Sequence, residues 1–268
     1  MPPDINESFS IFNTTGPNTI RFGLTGVKNV GKNIVQAIID AREKEGRFTD
    51  IEDFINKVKH KDLNKKSLES LIRCGALDSL EERKQLLESI DILLNYSREA
   101  QKSVSSGQDS LFSNLPIKDI EPSIKLKNSP PATKEEKLGW EKELLGLYVS
   151  DHPLNEHKDY LAKISVPFAK LAGVKKSEEI ITGGLVLEIK KILTKSNESM
   201  LFVKIEDLSG KSEIIVFPRV LKETEAANIW QPGAIILVKG KVSDKDGQFK
   251  IIANKAKILE KQSLPVNG

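Results

Sequence analysis

Along this chain the apolar positions recur first with the period of a helix and later with the period of a strand, and the change of period divides it. After Lys32, the residues Ile34, Val35, Ile38 and Ile39 share one face as far as Arg42, which predicts an amphipathic helix. Short helices are expected over 51–58 and 65–73, the second with Leu68, Leu71 and Ile72 on one side and Gly75 as a left-handed terminator. A longer helix is expected from 81 to about 100, striped by Leu86, Leu87, Ile90, Leu93 and Leu94. Residues 101–132 lose the period, because Ser103, Ser105, Ser106, Gly107, Pro116, Pro122, Pro130 and Pro131 break any regular element. Thr133 followed by Glu136 has the form of a capping box and opens a helix expected to reach Tyr148, where Ser150-Asp151-His152-Pro153 stops it.

From about residue 180 the period becomes two. Strands are expected over 181–193, 200–206, 211–217, 234–242 and 248–258, with a short polar helix near 219–228. Five strands with a helix after the third is the order of an OB-fold barrel. Asp244-Lys245-Asp246-Gly247 then joins the last two strands as a hairpin.

Composition narrows the picture only a little. Of 268 residues, 29% are charged and 38% hydrophobic, which fits linkers and solvated helix surface around small cores. Lys+Arg 41 against Asp+Glu 38 leaves a net charge of +3, so any site for a polyanion must be a local arrangement of cations. Cys74, a single cysteine, excludes an intramolecular disulfide, and His60, His152 and His157 lack the spacing of a zinc site. The polar start Met1-Pro2-Pro3-Asp4 is not a signal peptide and reads as the start of a piece of a longer chain. No apolar run approaches the ~20 residues that span a bilayer, so the expected location is cytoplasmic with no membrane partner.

The sharpest local feature is Gly26-Val27-Lys28-Asn29-Val30-Gly31-Lys32, between a short helix and a longer one. A tight turn there presents backbone N–H groups and the positive end of a helix dipole, which suit a phosphate oxygen. Lys28 and Lys32 add charge without reading a base, so Lys28, Asn29, Val30, Gly31 and Lys32 are the candidate contacts of a helix-hairpin-helix. An ordinary helix–helix turn that carries glycine is the other reading. Asn29 stands where the commoner hairpin has glycine, and asparagine tolerates left-handed dihedrals. The second turn, Cys74-Gly75-Ala76-Leu77, is apolar and reads as a packing partner.

Gln108-Asp109-Ser110-Leu111-Phe112 stands alone in the polar linker, where two adjacent apolar side chains call for a pocket. They either plug a hydrophobic cleft of a partner or tack the linker onto its own domain. In the barrel, alternation places Leu201, Val203 and Ile205 inside and Phe202 beside Lys204 outside, an aromatic next to a cation where such barrels hold single strands. Lys239 and Lys241 are expected outward on the fourth strand. Lys190, Lys191 and Lys195 lead into the first loop, and Lys245 sits in the last. A solvated lysine-rich surface, or a protein-docking barrel, is the competing reading. No phosphate-binding glycine loop and no Ser/His/Asp set is present, and Asp244/Asp246 read as turn formers.

Several blocks together resemble one family. Arg21-Phe22-Gly23-Leu24 running into Lys28–Gly31, Phe48-Thr49-Asp50-Ile51-Glu52-Asp53-Phe54 and Leu71-Ile72-Arg73-Cys74-Gly75-Ala76-Leu77-Asp78 resemble the tandem helix-hairpin-helix region of bacterial DNA polymerase III alpha subunits. Pro3-Asp4-Ile5-Asn6 and Gly146–Leu154 resemble segments that bracket that region in the same family, and Phe202–Gly210 with Val216-Phe217-Pro218-Arg219 resemble its barrel. The resemblance implies an α+β multidomain chain. It comprises an all-α helix-hairpin-helix domain over 1–100, a flexible linker over 101–132, a helical connector over 133–178 and a five-stranded OB-fold β-barrel over 179–262.

It further implies that Gln108–Phe112 is a sliding-clamp-binding peptide, that the first hairpin touches duplex DNA and that the barrel lies near single-stranded template. The polymerase carboxylates, with their Mg²⁺, are then expected in the rest of the alpha chain upstream, leaving this segment without catalysis or a cofactor of its own. Two other readings remain at this point. One is an RNA-binding or synthetase-associated OB-fold module, and the other is a nuclease or ligase piece, for which no catalytic residues are visible.

Overall fold

The computed structural model describes residues 1–105, 124–175, 177–224, 227–245 and 248–259. The chain divides into two compact units, Met1–His152 and Pro153–Gly268. The segment 133–178, expected to be a separate connector, is therefore shared: its first part packs with the helices and its second with the barrel.

The first unit opens with a short hairpin, β1 (Asn13–Gly16) and β2 (Thr19–Arg21), which the helical reading of this zone did not anticipate. Its strands are four and three residues long, too short to establish a two-residue period. Helix α1 spans Lys32–Glu45 and buries Ile34, Val35, Ile38 and Ile39. Gly46, at φ 84°, ends it. Helix α2 (Ile51–Lys57) is capped by Asp50, and α3 (Lys65–Arg73) by a capping box in which Asn64 and Ser67 bond each other's backbone.

The long helix expected after residue 81 is two helices, α4 (Arg83–Glu88) and α5 (Ile90–Ser105). The break is at Ser89, which is fully buried and whose hydroxyl accepts the Lys127 N–H at 2.8 Å. At Ser89 φ and ψ move to −97° and 4°, and its N–H is shared between the Gln85 and Leu86 carbonyls, a tightened last turn that separates the two helices. Helix α6 (Lys134–Leu145) starts on the predicted Thr133/Glu136 box. It is closed by Gly146 at φ 78°, and so stops short of Tyr148. Phe54, Leu68, Leu71, Leu77 and Leu93, each essentially inaccessible, form the centre of this unit.

The second unit opens on a 3-10 turn, Pro153–His157, which leads into the short helix α7 (Lys158–Ile164) and then a closed barrel. Its strands are β3 (Glu179–Leu193), β4 (Ser199–Glu206), β5 (Lys211–Val216), β6 (Ile235–Lys245) and β7 (Gln248–Ile258), with α8 (Pro218–Thr224) between β5 and β6. The order around the barrel is β3-β4-β5-β7-β6, closed by a parallel β5–β7 pair. The long β3 pairs with β6 through its first half and with β4 through its second. Its register with β4 shifts between Val186 and Glu188, and just before, a Cβ on Gly184 would stand 2.5 Å from the Glu206 carbonyl oxygen. Val203, Ile205, Ile214, Val216, Ile236, Val238 and Ile251 fill the interior.

Candidate nucleic-acid interface

The first hairpin turns at Asn29. Its φ is 68°, so the left-handed residue of the turn is the asparagine and not Gly31, whose φ is −76°. The Asn29 amide nitrogen donates to Ser70 Oγ at 3.2 Å, and the Lys28 N–H donates to the Leu144 carbonyl at 3.0 Å. Helices α3 and α6 thus hold the turn from behind. Gly31 is the N-cap of α1 and supplies no side-chain cap, and the first turn of α1 carries no acidic residue. A Cβ on Gly31 would meet nothing within 4 Å. The fold itself therefore does not require glycine there, whereas close approach of an external group to the helix start would. Lys28, Asn29, Gly31 and Lys32 are exposed, and neither lysine is ion-paired among the described residues. Val30 is buried and its N–H donates to the Val27 carbonyl at 3.2 Å, so it is not among the exposed residues of the turn.

The second turn has a different chemistry. Gly75, φ 86°, lies against the Arg83 guanidinium: a Cβ there would come within 2.2 Å of Arg83 Nη2. Arg83 is almost wholly buried and donates to both Asp78 oxygens, at 2.8 and 2.7 Å, to the Arg73 carbonyl and to the inaccessible Glu141. Glu141 also accepts the Val149 and Ser150 N–H groups. Burial alone would lower the Arg83 pKa; the contacts to Asp78 and Glu141 hold it above the ordinary value. Burial pushes the Cys74 thiol up to about 12, which rules it out as a nucleophile near neutral pH. The apolar second turn is a structural joint among α3, α4 and α6.

On the barrel, strand register assembles two rows across one wall. Glu188, Lys204, Glu213 and Lys250 follow one another across β3, β4, β5 and β7, alternating in charge. The next row is Lys190, Phe202, Ile215 and Ile252. Lys204 Nζ meets Glu188 at 2.6 Å and Lys250 Nζ meets Glu213 at 2.8 Å. The hydrogen bond and charge of Glu188 hold the Lys204 ammonium above its ordinary pKa, and Lys204 holds the Glu188 carboxyl below its own. A groove of about 430 Å³ runs between Phe202 and Lys190 on one side and Lys250 on the other. A second, of about 420 Å³, shares Lys204, Glu213 and Lys250 with it and extends to Phe249 and Lys211.

Comparison with known proteins matches residues 1–87 to the helix-hairpin-helix motif family and residues 180–259 to the OB-fold nucleic acid binding domain family. DNA polymerase III subunit alpha from Borreliella burgdorferi is 38% identical over 98% of the chain, and that from Aquifex aeolicus is 34% identical over 90%. The Mycobacterium leprae subunit is 35% identical over 95%. The chain is a relative of the DNA polymerase III alpha subunits. It spans about a fifth of their length: 23%, 19% and 22% of these three.

Within this polymerase III alpha relative, the residues expected on one barrel face do not lie together. Phe202, Lys204 and Lys190 do. Lys239 and Lys241 are exposed, but on β6, which pairs only with β3 and β7, and Lys239 is bonded to Glu179 at 2.8 Å. Simple alternation along β6 showed that they point outward; which wall they occupy depends on the closure of the barrel. Lys191 pairs in register with the buried Leu201, so it emerges at the end of the barrel and not beside Phe202. Lys195 is exposed in the β3–β4 turn. Lys245 ends β6, and its side chain, like Gln108–Phe112 as a whole, lies outside the described residues.

Met200, which strict alternation along β4 puts on the same side as Phe202, is buried. The sequence reading passed over Phe217, two residues after Ile215 and 43% exposed. Its signal was the period-two pattern of β5, where Val216 points in. Among the described residues no cluster of His, Cys, Asp and Glu could hold a metal ion, and no helix is long and apolar enough to cross a membrane.

Proposed function

We propose that this chain is a non-catalytic, DNA-handling segment of a replicative polymerase in the cytoplasm. It grips duplex phosphates through Lys28–Lys32, holds single-stranded template across Phe202 and Lys190, and binds a sliding clamp through Gln108–Phe112. The observation that carries the reading is the first hairpin. Its helix start is uncapped, its Gly31 faces open space, and two lysines without ion pairs among the described residues flank it. A backbone phosphate supplies what that helix start lacks, an acceptor and a negative charge. Bond-making, with its Mg²⁺, belongs in this reading to other parts of the parent chain.

The test is binding of the purified chain to a primer–template across a salt series, with and without clamp. Lys28→Ala with Lys32→Ala should weaken duplex binding equally for all sequences and lower the salt slope by about 0.9 for each phosphate no longer neutralised. Leu111→Ala with Phe112→Ala should abolish clamp binding and leave DNA binding intact. Unchanged duplex affinity in the lysine variant would remove the hairpin from the reading, and unchanged clamp affinity would remove the peptide. The alternative module, an RNA-binding barrel, predicts tighter binding to single-stranded RNA than to DNA at matched salt.

A further inference from the structure

The barrel has a second open surface, on the wall made by β3, β6 and β7. Helix α7 lies close to this wall because Gly183 has no side chain: a Cβ there would come within 2.7 Å of both Leu161 and Leu237. Beside α7 a groove of about 450 Å³ is left uncovered, with Ile164, Ile181, Leu237 and Ala256 as its apolar lining. Ile181 is 39% exposed, a large aliphatic side chain presented to solvent on the face of a sheet.

The charged part of the lining has one sign. Lys239, Lys255 and Lys257 border the groove. Lys239 and Lys255 stand directly opposite each other across β6 and β7, a like-charge pair that destabilises a sheet. Glu179 engages Lys239; among the described residues no ion pair engages Lys255 or Lys257.

The backbone narrows the occupant further. β6, at the centre of this wall, is hydrogen-bonded to β3 on one side and to β7 on the other, so a visitor lying over it meets side chains. A nucleic acid would find one ring, Tyr160, and otherwise aliphatic carbon, which offers little stacking. A helix with an apolar stripe answers the lining, and carboxylates beside that stripe answer the lysines.

We infer that this groove docks an amphipathic, acid-flanked helix of a partner protein, with its apolar stripe on Ile181 and Leu237 and its carboxylates on Lys255 and Lys257. The site is separate from the Phe202 groove, with which it shares no residue.

The experiment uses the whole chain with its isoleucine and leucine methyls labelled, followed by NMR. One probe is a synthetic sixteen-residue helix with leucines at every third and fourth position and flanking glutamates; a second carries lysines in their place; a third is a thymidine oligonucleotide. The inference expects the glutamate helix to shift the methyls of Ile164, Ile181 and Leu237, and the lysine helix to bind at least tenfold more weakly. Ile181→Glu should abolish the shifts. Lys255→Glu with Lys257→Glu, a change confined to exposed positions, should reverse the preference between the two helices. Absence of shifts with the glutamate helix, equal binding of both helices, or the same methyls moving with the oligonucleotide would overturn it.

Discussion

Removing the Phe202 ring tests the proposed single-strand groove most directly. Phe202 is half-buried on β4 and sits opposite Ile215 of β5, with Lys190 opposite it on β3. Stacking one base on such a ring contributes roughly 1–3 kcal/mol. Phe202→Ala should therefore weaken binding of a thymidine oligonucleotide by about 5- to 150-fold. Phe217, exposed and two residues beyond Ile215, is a second ring at a diagonal position, and diagonal neighbours in a sheet stand roughly 7–8 Å apart. That spacing suits successive bases of an extended strand, so the two alanine substitutions should be close to additive in free energy. Fluorescence anisotropy at one fixed low salt reads the affinities. Phe202→Leu, which keeps apolar bulk and removes the π-face, separates lost stacking from a disturbed barrel. Its melting temperature should stay near that of the parent while its affinity falls. Affinity within twofold of the parent for both Phe202→Ala and Phe202→Leu would refute the assignment of this face.

Three further outcomes follow from the same geometry. Glu188→Gln should tighten single-strand binding, because the carboxylate that now occupies Lys204 at 2.6 Å also repels phosphate; titration of the same oligonucleotide checks it, and weaker binding would contradict it. Gly75→Ala should destabilise the first unit by about 3–5 kcal/mol, since a Cβ at φ 86° would displace the buried Arg83 from Asp78 and Glu141; urea unfolding measures it. Glu82, the cap of α4, accepts the N–H groups of Lys84, Gln85 and Ala132. Burial acts to raise its carboxyl, and these bonds outweigh burial to hold it below the ordinary carboxylate value. Its stabilisation is thus complete above the usual carboxylate range and is lost as pH falls through the lowered value. The stability gap between parent and Glu82→Gln, about 1 kcal/mol at neutral pH, should close on acidification.

Periodicity made most of the elements legible, and the failures share a cause. The apolar stripe of α1, the Thr133/Glu136 box and the alternation along β4 from Leu201 onward each depend on neighbours a few residues away, and each was readable from the chain alone. Ser89 stands at the break between α4 and α5, and its hydroxyl accepts an N–H from Lys127, 38 residues on, a partner that no local pattern announces. Lys239 and Lys241 were correctly read as outward, but which wall they occupy depends on a parallel contact between β5 and β7 that no local pattern encodes. Gly75 was recognised as a helix terminator; that it also makes room for a buried guanidinium depends on Arg83, eight residues later, folding back. Local signals therefore named the candidate residues, and closure of the chain decided which of them lie together.

The two proposed DNA contacts also differ in physics, and this makes them separable in one titration. The hairpin offers charge and backbone N–H groups with no ring, so its contribution should fall steeply with salt. The Phe202 wall offers a ring, with Lys204 and Lys250 each already bonded to a glutamate, so it brings little net charge and its stacking should persist as salt rises. Duplex affinity should therefore collapse between low and physiological salt while single-strand affinity declines gently. Equal slopes for the two ligands would mean that one surface, and not two, carries both.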